Sequence, residues 1–193
     1  MRFLKHKILI LFLLLSFFSV NSCKENKRQA EKAEIAKIVT EWIGKEILLP
    51  EDIPCYISGK DTLNILCEEL FYKDYKILLY VDSTGCSDCR LKLYEWKQLV
   101  EEADSLFQDR VGFLLYFQPK SIREIAFLFE QYRFDYPVFI DSKGIINKTN
   151  NFPQTKEYQC FLLDNNNKVL IIGNPVLNVR IWELYKSYIS EVQ

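Results

Sequence analysis

K-I-L-L-Y-V-D-S-T-G-C-S-D-C-R-L-K-L-Y-E-W-K-Q-L-V-E-E, residues 76 to 102, changes its pattern midway. Lys76 to Asp82 is a short run of β-formers of the kind found in a buried central strand. Ser83-Thr84-Gly85 breaks the run. Beyond it Leu91, Leu93, Tyr94, Trp96, Leu99 and Val100 mark one face of a helix of about four turns, expected to open near Cys86. C-S-D-C therefore sits where a strand turns into a helix. Two spaces between cysteines at a first helical turn let the sulfurs approach disulfide distance. The first sulfur also faces free N–H groups and the positive end of the helix dipole, which lowers its pKa. On this reading Cys86 is the nucleophile, and Cys89 resolves the mixed disulfide it forms.

Working outward, V-G-F-L-L-Y-F (Val111 to Phe117) reads as a second buried strand. Ser121 begins a second helix as N-cap, with Glu124 completing a capping box. Tyr136 to Ile140 is a short strand, Phe161 to Gly173 a hairpin around an Asn-rich turn, and Asn178 to Val192 a closing helix. Asp164, Asn165, Asn166 and Asn167 suit that turn better than a calcium site. Trp96, Phe127, Phe129 and Tyr132 fall at helical spacing and read as core. Right-handed crossover makes the first two strands parallel. The expected class is α/β, a central mixed sheet with helices on both faces. Upstream, Ile35, Ile38, Val39, Trp42, Ile43 and Ile47 predict an amphipathic helix from Ala30 to Ile47, ended before Pro50. Glu51 to Asp74 reads as irregular chain or short strands.

The N-terminus is an export signal by its pattern. Arg2, Lys5 and Lys7 precede an apolar run from Ile8 to Phe18, about 11 residues and too short to span a bilayer. S-V-N-S-C follows and resembles the lipobox of bacterial lipoproteins, with Cys23 as the lipidated first residue; Asn21 is unusual there. Loss of residues 1–22 removes three of 25 basic residues and none of 26 acidic ones, leaving 22 against 26, a net charge of about −4. Such a chain lacks the basic footprint that nucleic acid requires.

Six cysteines are present, and Cys23 is assigned to lipid. Cys55, Cys67, Cys86, Cys89 and Cys160 remain, so outside the cytoplasm at least one thiol is unpaired or in exchange. Cys55 and Cys67 bracket a loop and are either a structural disulfide or two separate buried thiols. The sole histidine, His6, lies in the signal segment. The mature chain therefore has no His general base, catalytic triad or His-ligated metal. A second C-x-x-C for zinc is absent, and no cofactor is expected.

Y-V-D-S-T-G-C-S-D-C-R, F-L-L-D-N-N-N-K-V and the element order resemble the thioredoxin superfamily, specifically the TlpA-type membrane-tethered thiol–disulfide oxidoreductases and thioredoxin-like lipoproteins of Gram-negative bacteria. The resemblance implies a signal peptide over 1–22, a tether and N-terminal helical or irregular extension over 23–75, and a thioredoxin-like domain over 76–193. It implies a lipid-anchored protein of the cell envelope, periplasmic or at the outer-membrane surface. That protein takes electrons from an upstream membrane reductase and passes them to protein disulfides. Gly85 stands where the family has Trp, and Tyr80 where it has a buried acid; Asp82 is a substitute proton acceptor. Asp88 inside the motif disfavours negative charge on sulfur, which tilts the expectation towards a reductase. The family's cis-proline falls on Tyr158, Pro137 or Pro153, with Pro137 preferred. In the Tyr158 alignment Cys160 lies near the site, as a third redox thiol or a buried one. The alternatives are a non-catalytic binding lipoprotein and a thiol peroxidase, for which Ser83 is placed as the family requires but Leu79 replaces a proline.

Overall fold

The computed structural model describes residues 28–50, 52–58, 64–84 and 92–191. In chain order the elements are helix α1 over 28–42, strand β1 (Cys55–Tyr56), helix α2 (Asn64–Glu69), strand β2 (Tyr75–Val81) and helix α3 (Leu93–Phe107). Strand β3 (Val111–Phe117), helix α4 (Ile122–Gln131), strand β4 (Val138–Ile140) and helix α5 (Ile145–Asn150) follow. Strands β5 (Cys160–Leu163) and β6 (Val169–Ile172) form the hairpin, and helix α6 (Val179–Glu191) closes the chain.

The two apolar runs become the centre of a six-stranded sheet of order β1-β4-β3-β2-β5-β6. β2 and β3 pair in parallel from Tyr75 opposite Val111 to Val81 opposite Phe117. β4 continues the parallel side, whereas β5 runs antiparallel to β2. Both faces are buried, which is why these strands read as continuous apolar runs without alternation. One face carries Ile77, Leu79, Phe113, Leu115 and Leu162. They pack with Trp96 and Leu99 of α3, Phe129 of α4 and Tyr185 of α6. Alternation sends Leu78, Tyr80, Tyr116 and Phe161 to the opposite face. There Trp42 and Phe152 each lie 5.2 Å from the Phe161 ring, and Phe152 lies 5.6 Å from Tyr80. Phe127, expected in the core, is 62% exposed; on α4 it is Ile125 and Phe129 that face the sheet.

One expectation upstream of β2 is corrected. The first helix ends at Trp42, not Ile47, because Gly44 adopts φ +78° and its N–H donates to the Val169 carbonyl at 2.7 Å. The chain then runs extended beside the hairpin, with an antiparallel bridge between Glu46 and Lys168. The chain divides into two compact units between Glu41 and Trp42. Within that first unit Ile35 and Val39 of α1 are exposed. Finally, β1 adds an antiparallel edge strand, Cys55 opposite Phe139. A disulfide ties Cys55 to Cys67 of α2, and both residues are buried. The Asn-rich segment is a turn, with the Asp164 carboxylate accepting the N–H groups of Asn166 and Lys168 at 2.8 Å each.

Candidate active site

β2 ends at Val81, and α3 begins at Leu93. Between them, residues 85–91 lie outside the described residues, so Cys86, Asp88 and Cys89 are placed here only by their flanks. Lys92 takes a left-handed conformation (φ 49°, ψ 44°) and caps α3 with no side-chain hydrogen bond. The helix was expected to open near Cys86. That start falls outside the described residues; the described helix α3 begins at Leu93, directly after Lys92 leaves helical geometry. Both flanks of the C-S-D-C segment nonetheless line one cleft. Asp82, Lys92 and Trp96 line a cavity of about 260 Å3 together with Gln159, Asn174 and Leu177.

A polar network closes the end of β2. The Asp82 Oδ1 atom accepts the Thr84 N–H and the Thr84 hydroxyl, each at 2.9 Å. Lys156 Nζ lies 3.2 Å from the same oxygen and also donates to Thr84 Oγ1. Asp82, expected as a proton acceptor, is thus held by an ammonium group as well. Tyr80, at the family's buried-acid position, is buried and donates its hydroxyl to Gln118 Oε1 at 2.6 Å. Lys156 gave no signal in the sequence: it is a single lysine opening a short 3-10 turn, 74 residues from its carboxylate partner.

The register places the three positions weighed for the proline. Leu79 stands opposite Cys160, and the Tyr80 N–H donates to the Gln159 carbonyl at 3.0 Å, which carries Tyr158 to the level of Val81. Tyr158 therefore lies at the cleft end of β2. Pro137 does not: it precedes β4, which pairs with β3 and not with β2. Pro153 belongs to the loop before β5, where its carbonyl accepts the Gln159 side-chain amide at 2.8 Å. No peptide bond among the described residues is cis, that before Pro137 included.

Cys160 is free but fully buried, on the face packed against α6. Burial pushes its thiol well above the ordinary range, although a hydrogen bond with Tyr185 opposes the shift. A neutral, enclosed thiol is a poor nucleophile, so the third-redox-thiol alternative falls. Cys23 lies outside the described residues, and no helix among those described is long and apolar enough to cross a membrane.

No family model matches the sequence, and no curated protein matches it. Solved structures do resemble the fold. A cysteine-to-serine mutant of PrxQ from Xylella fastidiosa superposes with a TM-score of 0.52 at 14% identity, over 78% of this chain and 97% of its own. A mutant of peroxiredoxin Q from Xanthomonas campestris gives 0.51 at 13% identity, over 76% and 98%. The bacterioferritin comigratory protein of Xanthomonas campestris gives 0.50 at 13% identity, over 75% and 96%. At such identities the likeness is one of architecture. With its parallel β2–β3–β4 core, antiparallel hairpin and helices on both faces, the chain has the thioredoxin-like α/β fold.

Proposed function

We propose that this chain is a lipid-anchored thiol–disulfide oxidoreductase of the cell envelope, of the TlpA type and working as a reductase through Cys86 and Cys89. The observation that carries the reading is that the two flanks of C-S-D-C, Asp82 and Lys92, line one open cleft at the end of the central strand. A substrate disulfide entering that cleft meets the Cys86 thiolate. The thiolate attacks one substrate sulfur, which forms a mixed disulfide and releases the other substrate sulfur as a thiolate that takes up a proton. The Cys89 thiolate then attacks Cys86. The Cys86–Cys89 disulfide closes, and the second substrate thiol leaves. Two electrons have passed from the protein to the substrate, and the dithiol of a membrane reductase restores them. Asp88 opposes charge on the neighbouring sulfur and so favours the reducing direction. Cys23 carries the lipid that holds the protein at the membrane.

The experiment is insulin reduction with dithiothreitol as the recycling donor. The soluble chain from residue 24 accelerates insulin precipitation, and Cys86→Ser returns it to the uncatalysed background. Wild-type protein that gives no acceleration overturns the proposal. The named structural neighbours favour a second reading, a thiol peroxidase. Hydrogen peroxide consumed by wild type and, for one turnover, by Cys89→Ser selects that reading, because there Cys86 reacts before any resolving thiol is needed.

A further inference from the structure

The outer strands of a sheet present N–H and C=O groups to which another strand can add. The two edges of this sheet offer them unequally. β1 is only two residues long. β6 reads V-L-I-I, an uncharged run of β-formers without proline, the composition that most readily recruits further strands. Residues 42–48 run along its opening and take both main-chain groups of Val169. The Gly44 N–H donates to the Val169 carbonyl at 2.7 Å, and the Val169 N–H donates to the Lys45 carbonyl at 2.9 Å. The Ile47 N–H donates to the Asn167 carbonyl at 2.9 Å. Both ends of this segment are fastened. Trp42 is buried against Phe152 and Phe161. At the far end the buried Asn150 side-chain amide accepts the Leu48 N–H and donates to the Leu48 carbonyl, each at 2.8 Å.

We infer that residues 42–48 are a built-in cap of the β6 edge, and that the partner they exclude is a second copy of this chain. The edge itself names that partner. Two β6 strands related by a two-fold axis lie antiparallel, so each copy supplies the main-chain groups that the other lacks. The cap satisfies the same groups from within one chain. It also carries charge, Lys45 and an exposed Glu46, where a further strand would have to add, and charge on an edge opposes continuation of the sheet. Gly44 is its pivot, because φ +78° is open to glycine and strained for most other residues. This device is independent of the exchange chemistry proposed for Cys86 and Cys89.

The test is sedimentation velocity over a range of protein concentrations, on the chain from residue 24 carrying Cys86→Ser and Cys89→Ser so that these thiols cannot link two copies. This parent stays monomeric, and so does Gly44→Asn, which keeps the N–H and tolerates a left-handed backbone. Gly44→Pro removes the donor to Val169 and cannot adopt a positive φ, so it raises dimer affinity about tenfold or more. Gly44→Ala keeps the donor and adds only backbone strain; it moves the same way by a smaller factor, and carries the test where the proline variant does not fold. Amide hydrogen exchange identifies the interface. In the dimerising variants the Val169 amide loses protection at low concentration and regains it as the dimer forms, while the Ile47 amide stays open. Variants that remain monomeric with an open Val169 amide overturn the inference, as does a dimer in which that amide is still open. Protection of both amides in every variant, or a parent that is already dimeric, overturns it as well, since the segment would then not be a separable cap.

Discussion

At the Tyr75 end of β2, Lys76 is fully buried, and its ammonium donates to the carbonyls of Phe71 at 3.3 Å and Asn165 at 3.0 Å. At the Val81 end, Lys156 stands half in solvent and binds side chains, Asp82 and Thr84. The first lysine is held by backbone oxygens from two segments that cover the sheet, so it staples those segments together. Burial lowers its pKa, and Asp164 partly offsets that. The second lysine binds groups that can be exchanged without disturbing the core. A single strand thus ends in a lock on one side and in an adjustable polar assembly on the other. Charge buried against backbone serves folding, whereas charge exposed beside a cleft is available to chemistry.

The strongest way to break this comparison is to remove the lock. Lys76→Ala deletes a buried stem and leaves two carbonyls without their donor, which costs about 3 to 4 kcal/mol. Urea unfolding followed by tryptophan fluorescence reads the loss; a change below about 1 kcal/mol would place Lys76 in the same class as Lys156. Next comes the Cys55–Cys67 disulfide, which closes a short loop with a sequence separation of 12 and holds β1 at the sheet edge. The double variant Cys55→Ser/Cys67→Ser should lose about 2 to 3 kcal/mol. Insulin reduction should persist where the variant remains folded, because β1 pairs with β4 and lies two strands beyond β3 from the cleft side of β2.

How much of this was legible in the sequence depends on the range of the interactions involved. β2 and β3 were legible because strands covered on both faces read as continuous apolar runs. α4 was legible because its start is a local event, the Ser121 hydroxyl accepting the Glu124 N–H at 3.3 Å. β1 was not. Two residues carry no periodicity, and Cys55 is a strand residue only because Phe139 lies beside it. The end of α1 was missed because the apolar spacing continued to Ile47, while Gly44 turned the backbone towards Val169. At the site, C-S-D-C announced itself through its junction between strand and helix. Lys156 did not, since nothing in its short 3-10 turn marks a lysine whose partner is 74 residues away. Cys160 stayed ambiguous because its burial is decided by Tyr185 and the α6 helix, not by its neighbours in sequence.

Cys160 supplies the next test, since the comparison holds that buried groups at the sheet centre act through folding. Its folded pKa is raised above the ordinary value of 9.0 by burial. The stability tied to the neutral thiol is therefore complete below pH 9 and is lost as pH climbs, because the unfolded chain releases a proton that the folded chain retains. The expected slope is about 1.4 kcal/mol per pH unit above that point. Cys160→Ala should remove this slope. Urea unfolding of variant and wild type at pH 8 and pH 10 measures the difference, with the contributions of Lys76 and the tyrosines common to both. Equal slopes would mean that the thiol is more open than its packing indicates.

The smallest expected effect is the one that separates the two ends of β2 most sharply. Lys156→Met keeps an unbranched stem against the cleft and removes only the ammonium. An exposed ion pair contributes about 0.2 to 1 kcal/mol, so the urea midpoint should move by no more than that, and the slope of the transition should be unchanged. Salt offers an independent check. Raising ionic strength to about 1 M shrinks the Debye length to about 3 Å, which should erase even that difference while leaving the loss caused by Lys76→Ala in place. A Lys156→Met variant that loses as much stability as Lys76→Ala would show the polar assembly to be a second lock. Its carboxylate and hydroxyl would then be fixed for the sake of the fold.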